Sequence, residues 1–427
     1  MNALFLAIVV IAFAAAAWRQ IAFVPATADA LSPMQDLANQ MLEAATGAVT
    51  LSIGLVGVMT LFLGVTKVAE AGGLLTIIAK TIRPLMVRLF PDVPGDHPAM
   101  GAMVLNLSCN VLGLGNAATP FGIRAMQELD RLNPRKGVAT DAMVMFLALH
   151  TTSLALLPTG VVALRAASGS RGAATIVPTT LVAMLVATIA AVIAAMVLRR
   201  FYPADATATT EPPKPSQTTE VDLTAGSESY PAWIGLLALL AVLAFIPLTL
   251  AYGRAISPWV IPAIVVGFLV FGAARGVRIY EVFIDGAKDG FELAIRIIPY
   301  LVAILTAVAM FRASGALAAL VAVLGPVTNA VGLPPEVLPM ALLRPLSGSG
   351  AFAVLAALLQ APVTGPDTYA GQLASTLQGA MDTVFYILAI YCGAIGIRRM
   401  RHALPSMLIG AFAGVVAAIV ACQLLFA

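Results

Sequence analysis

Charge is the scarcest resource in this sequence. Lys, Arg, Asp and Glu together supply 11% of 427 residues, against about 25% in soluble domains. The formal net charge of +3 is spread over short segments, which excludes the basic stripe that a nucleic-acid partner needs. Cysteine is almost as rare. Cys109, Cys392 and Cys422 stand far apart in apolar surroundings with no CxxC spacing, so neither a disulfide framework nor a zinc site is expected. They read as small buried hydrophobes. The three histidines, His97, His150 and His402, are dispersed and lack an HExxH frame, so no catalytic metal is expected. Gly348-Ser349-Gly350 lacks the G-x-S-x-G frame, Gly113-Leu114-Gly115 lacks a third glycine, and no Walker Lys-Ser/Thr pair occurs. The chain therefore reads as a non-enzyme that holds no cofactor.

What is abundant is apolar surface. Hydrophobic residues make up 60% of the chain, and a mean hydropathy of +0.96 identifies an all-α polytopic membrane protein. The N-terminal run lacks the basic start of a secretory signal and is followed by Arg19, so it is predicted to stay as a first membrane helix with its C-terminal end drawn to the cytoplasm. A polar connector (25–43) and a span (46–66) follow, then a weaker stretch punctuated by Lys67, Glu70, Lys80 and Arg83, with Glu70 paired locally to Lys67. The segment 99–115 is expected to be broken, 121–132 to be amphipathic, and 138–164 and 177–198 to cross. Residues 203–230 turn abruptly to Pro, Thr, Ser and Glu, the composition of a solvated, disordered linker. Beyond it come spans at 232–252 and 257–274, an amphipathic connector (281–296), short apolar arms, and crossings at 371–397 and 404–426. Three parts follow: 1–202, the linker 203–230, and 231–427.

The outer parts match each other. Gly47 and Gly72 stand 25 residues apart, as do Gly290 and Gly315, and Pro84 and Pro326 follow 12 and 11 residues after the second glycine of each pair. In both parts a polar interrupted segment comes next, then a crossing with a polar cluster inside it. The order predicts an internal repeat, and repeated halves in transporters place the solute site between them. The charges leave parallel and inverted repeats open.

The interruptions carry the candidate site. Arg344-Pro345-Leu346-Ser347-Gly348-Ser349-Gly350 separates two apolar arms, each too short to cross a bilayer. Such a break is tolerated only inside protein or against a wet cavity, so it is predicted to be the tip of a re-entrant hairpin. An unpaired cation at that depth costs at least about 2.5–3.5 kcal/mol. Arg344 therefore needs a partner, either a structural one (Asp382 or Asp367) or a solute. Ser347 and Ser349 suit a half-helix start that would receive an anion, or simply a tight hairpin. Asn106, Ser108, Asn110, Asn116 and Thr119 form the matching polar stretch of the first half, suited to a ribose, base or amide, or to gluing helices together. His150, Thr151 and Thr152, and Gln378, Asp382 and Thr383, are the polar clusters of the two crossings. His150 suits proton coupling and Asp382 suits Na+ or H+, with satisfied structural roles as the competing reading.

The same residues carry a resemblance. NLSCNVLGLGNAATPFGIRAMQEL and ATDAMVMFLALHTTSLALLPT in the first half resemble spore maturation protein A. ALLRPLSGSGA and TGPDTYAGQLASTLQGAMDTVFYILAIYCGAIGIRR in the second resemble spore maturation protein B. The chain is similar to a fusion of the two, within the nucleoside-recognition (Gate) domain family. The resemblance implies an architecture like that of nucleoside transporters, with two homologous halves, re-entrant hairpins and broken helices. The expected function is a secondary transporter of a small polar solute, nucleoside-like or anionic, in the bacterial inner membrane. The alternative is a non-transporting maturation factor or scaffold. Expected partners are the lipid bilayer and that solute, with a homo-oligomer left open.

Overall fold

A backbone that enters lipid has to satisfy its own hydrogen bonds, and this chain does so with helices. The computed structural model describes residues 2–25, 30–113, 118–152, 155, 158–202 and 229–426. Among the described residues there is no β-strand, only an isolated bridge between Val138 and Arg399. The first half contains α1 (Asn2–Ile21), α2 (Pro33–Ala71), α3 (Leu74–Leu89), α4 (Pro98–Val111), α5 (Ala118–Leu132), α6 (Asp141–Thr151), α7 (Thr159–Ala167) and α8 (Val177–Leu198). The second contains α9 (Ala232–Ala274), α10 (Ile279–Ala313), α11 (Ala316–Ala330), α12 (Leu338–Leu343), α13 (Gly348–Gln360) and α14 (Tyr369–Ala380). It closes with α15 (Val384–Ile387), a π-helical turn over Leu388–Cys392, and α16 (Ala403–Phe426). The protein is thus an all-α polytopic membrane protein. Residues 203–228, which hold almost all of the expected linker, lie outside the described residues.

Several boundaries differ from the sequence reading. The polar connector at 25–43 is largely absorbed into α2, because Ser32 and Gln35 form a reciprocal capping box that starts the helix at Pro33. The segment 99–115 is not broken through Asn106–Asn110. Pro98 at the first helical position and a cap from His97 start α4, which runs unbroken to Val111. The crossings expected at 138–164 and 371–397 are the segments that are interrupted. α6 stops at Thr151 and α7 starts at Thr159 after Pro158, while α14 stops at Ala380 and Met381-Asp382-Thr383 runs extended before α15. Lys67 and Glu70 pair at 3.1 Å, as expected.

The segment α9 is helical throughout, yet it is bent rather than straight. Gly235 packs against the Thr81 carbonyl and Gly272 against Val68. A straight helix would hold those two glycines about 55 Å apart, whereas Thr81 and Val68 lie within about 25 Å along the chain. Its two arms correspond to the spans expected at 232–252 and 257–274.

The repeat is visible once its register is moved by one residue. Gly73 (φ 87°) opens α3 and Gly315 (φ 80°) opens α11, both in the left-handed conformation that glycine adopts without strain. Pro84 and Pro326 then each follow by 11 residues. Gly72 and Gly47 drop out of the match.

Equivalent helices of the two halves pack antiparallel. Against α2, a Cβ at Gly286 of α10 would sit 2.7 Å from the Leu63 carbonyl, and one at Gly290 would sit 2.7 Å from that of Met59. Against α8, a Cβ at Gly410 of α16 would lie 2.7 Å from that of Ala191, and one at Gly414 would lie 3.1 Å from that of Ala187. Such close backbone approach is how helices associate in lipid, where no hydrophobic drive separates helix from lipid tails. Helices of 22 and 24 residues that pack antiparallel cross in opposite directions, so the halves are inverted relative to one another.

Each broken crossing is anchored at its start by an arginine from the opposite half. Arg401 meets Asp141, the first residue of α6, at 2.6 Å. Arg165 of α7 meets Asp367, just before α14, at 3.4 Å. Arg165 is fully buried and also donates to the Pro366 carbonyl at 2.6 Å, Ser375 at 3.2 Å and the Ala173 carbonyl at 3.1 Å. We therefore expect Arg165→Met to cost about 3–5 kcal/mol of stability, since it strands several buried acceptors. Asp367→Asn should cost no more than about 1 kcal/mol, because that carboxylate is partly exposed. Thermal unfolding in detergent measures both, and equal losses would mean that the ion pair, rather than the carbonyl cage, is the anchor.

Candidate functional site

A helix that stops inside a membrane leaves carbonyls and N–H groups with no partner in their own segment. Here one interruption donates to the other. The Asp382 N–H, in the break after α14, donates to the Thr151 carbonyl at the end of α6, at 2.8 Å. Hairpin α4–α5 and hairpin α12–α13 both reach this crossing, so the polar stretches of the two halves converge as the repeat predicts.

The first-half side of the crossing is a closed ring of hydrogen bonds. His150 Nδ1 lies 2.7 Å from Asn106 Oδ1, Asn106 Nδ2 lies 3.3 Å from Tyr391 Oη, and Tyr391 Oη lies 3.4 Å from His150 Nε2. The ring closes with the proton on Nδ1: imidazole donates to the amide oxygen, the amide donates to the phenol, and the phenol donates to Nε2. Asn106 Nδ2 also donates to the Ala118 carbonyl at 2.7 Å, tying α4 to the start of α5. The half-buried Asn110 places its amide Nδ2 3.1 Å from His150 Nδ1, a donor that Nδ1 accepts only in the other tautomer, with the proton on Nε2. The sequence reading missed Tyr391. It sits in the π-helical turn, its ring stacked 6.2 Å from Phe146, and nothing in the apolar run around it marks it except that it is a tyrosine.

The second-half side is organised by Arg344. It is buried, with Nε donating to the Gln378 carbonyl at 3.1 Å, Nη1 to Thr383 Oγ1 at 3.2 Å, and Nη2 to the Met381 carbonyl. These carbonyls belong to the C-terminal end of α14, where the helix dipole favours a cation. Neither expected carboxylate pairs with it directly. Asp367 belongs to Arg165, and Asp382 acts on Arg344 only through space. Asp382 itself is exposed, with Oδ1 accepting from the Thr383 N–H at 2.7 Å. Gln378 Nε2 reaches the Gly348 carbonyl at 3.4 Å, while its Oε1 is buried without a partner among the described residues.

The remaining candidates stand apart from this cluster or are used locally. Ser108, Thr151 and Thr152 return their hydroxyls to carbonyls of their own helices, those of Val104, Leu147 and Ala148. Ser347 caps α13 by accepting from the Gly350 N–H at 3.0 Å. Ser349 is exposed, and the Thr119 hydroxyl makes no hydrogen bond among the described residues. Asn116 lies outside the described residues.

Two outcomes follow from this geometry. A Cβ at Gly122 of α5 would overlap the Tyr391 hydroxyl and ring, and Tyr391 is buried. Gly122→Ala should therefore cost about 1–3 kcal/mol in thermal unfolding by overpacking, although it alters no polar residue. Arg344→Gln, which leaves buried carbonyls unmatched, should lose at least about 3 kcal/mol. Asp382→Asn, with its carboxylate exposed, should lose under about 1 kcal/mol. A double-mutant cycle of these two should give a coupling below about 1 kcal/mol, and a larger value would reveal a direct pair.

A family model described as nucleoside recognition (Gate) matches residues 52–168 and 294–398, just over half of the chain. Spore maturation protein B of Bacillus subtilis (strain 168) is 46% identical over 166 residues, covering 39% of this chain and 92% of that protein. Spore maturation protein A of the same organism is 43% identical over 152 residues, covering 36% of this chain and 78% of that protein. No solved structure matches. With a Gate segment on each side of the crossing, the chain belongs to the nucleoside-recognition (Gate) family and is consistent with a fusion of spore maturation protein A-like and B-like halves.

Proposed function

We propose that this protein is a secondary transporter of a small polar solute, bound where the two interrupted crossings meet. The observation that carries the reading is the contrast among the polar groups there. Arg344, His150 and Asn106 are buried and satisfied within the protein, whereas Asp382, beside them, is exposed. A carboxylate facing lipid is expensive, so its exposure fits a wet crevice rather than the acyl chains. With Arg344 committed to α14, the crevice offers acceptors rather than a free cation. That favours an uncharged or cationic solute rich in N–H and O–H donors over an anion. A nucleoside-like solute suits both this chemistry and the family description. Asp382 is the group we assign to a coupling Na+ or H+, His150 being occupied in its ring. No enzymatic role is proposed.

The Gate segments 52–168 and 294–398 fall one in each half, in keeping with a division into 1–202, a linker at 203–230, and 231–427. The Bacillus subtilis relatives and the apolar helices fit the bacterial plasma membrane. A maturation factor acting through partners is the second reading, favoured by the names of those relatives. Transport is the better fit, because a scaffold gives no reason to expose a carboxylate between two breaks.

The test is uptake of radiolabelled uridine and adenosine, beside an anionic control such as glutamate, into proteoliposomes under imposed Na+ or proton gradients. We expect nucleoside uptake, lowered about 10-fold or more in Asp382→Asn, the scale set by losing a charged hydrogen-bond acceptor. The variant's unfolding temperature should stay close to the parent's. Uptake indifferent to Asp382, or uptake of the anion alone, would overturn the reading.

A further inference from the structure

Polar groups buried at membrane depth are matched with few exceptions, and the crossing holds one that is not. Gln378 lies in the last turn of α14 and is only 9% exposed. Its main-chain carbonyl accepts from Arg344, but its side chain is held at one end only. Nε2 reaches the Gly348 carbonyl across a long bond of 3.4 Å, and Oε1 is enclosed with no partner among the described residues. The charged neighbours do not supply one. Arg344 donates to the Gln378 and Met381 carbonyls and to Thr383 Oγ1. The Asp382 carboxylate, in the break that follows, is itself an acceptor. Packing alone gives no reason for such an amide, since methionine fills a similar volume without an unmatched oxygen. Gly348, the first residue of α13, faces the amide. A Cβ there would sit 2.7 Å from Thr383 Oγ1, so α13 begins tight against the break.

We propose that Gln378 reads the solute, its Oε1 accepting an N–H and its Nε2 donating to an adjacent carbonyl. The inference rests on the transport reading and adds the chemistry of the solute: an amide or lactam edge, with N–H and C=O side by side, as uracil carries. A carboxamide presents a donor and an acceptor on neighbouring atoms, so it meets such an edge with a pair of hydrogen bonds. When the solute binds, the start of α13 gives up its long bond to Nε2, and Oε1 gains the donor it lacks. A solute without the N–H leaves that oxygen unmatched, which is the kind of contact that discriminates most sharply between close analogues. Asp382 keeps its assignment to the coupling ion.

The experiment pairs a solute analogue with a variant. Full-length protein in proteoliposomes takes up radiolabelled uridine in competition with unlabelled uridine or with 3-methyluridine, in which a methyl group replaces the proton on N3. For the parent we expect 3-methyluridine to compete about 10-fold or more less effectively, the scale of one hydrogen bond left unmade. Gln378→Met should raise the KM for uridine by about 10-fold or more and bring the two competitors within roughly 3-fold of each other. Its unfolding temperature should equal or exceed the parent's, because the substitution removes an unmatched oxygen. A Gln378→Met variant that keeps the parent's preference for uridine would overturn the proposal, as would a parent that does not distinguish the two competitors. Loss of folded protein in Gln378→Met would overturn it too, by showing the amide to be structural. If uptake depends on Asp382 but not on Gln378, this inference alone falls. If the parent takes up no nucleoside, the transport reading falls and takes the inference with it.

Discussion

The structure turns on one backbone hydrogen bond made between halves, from the Asp382 N–H to the Thr151 carbonyl. Interrupting a helix in lipid strands polar backbone groups that no water is there to meet. A single broken crossing would leave that cost standing. Two inverted breaks laid against each other give one of these groups a partner in the opposite half, and the inversion of α2 against α10 and α8 against α16 is what brings them face to face.

Charge is handled with similar economy. The buried arginines Arg344 and Arg165 are dissolved chiefly in carbonyl oxygens at helix ends and turns rather than in carboxylates. This spares the carboxylates. Asp367 and Asp141 are left to mark where each broken crossing begins, and Asp382 is left facing outward. Arg401 shows how tightly such anchors are held. Its φ of 50° lies in the left-handed region, a conformation costing about 1–2 kcal/mol for a residue with a Cβ, and its side-chain bonds to Asp141, Ala139 and Tyr202 fix it there.

How much of this was legible in the sequence depended on whether the signal was local. The hairpin around Arg344 is legible because Pro345 stops α12 and Ser347 caps the next helix, with Gly348, Ser349 and Gly350 forming the first turn of α13. Membership of the Gate family was readable from long motifs. Asn106 and Asn110 belong to a polar stretch running on to Gly113 that resembles the Arg344 interruption, yet packing inside α4 keeps it helical to Val111. Thr151 and Thr152 hid the real break, since threonines that bond back to their own helix look like ordinary membrane-helix residues. Tyr391 and Arg165 were invisible for another reason: the partners that define them lie more than 200 residues away. The relative orientation of the halves had the same character. It is written in the close contacts at Gly286, Gly290, Gly410 and Gly414, which join residues far apart in the chain.

The fit between the halves also sets an order of events during synthesis. The first half is made and enters the bilayer before α14 exists, so the Thr151 carbonyl waits without its donor and Arg165 without Asp367 and Ser375. Until the second half arrives, the newly inserted helices are a frustrated intermediate whose polar groups invite any passing donor. The covalent join keeps the correct partner at high effective concentration throughout that wait. A chain carrying both halves therefore shortens the most vulnerable period of its own biogenesis, which two separately made polypeptides would have to cross by diffusion in the membrane.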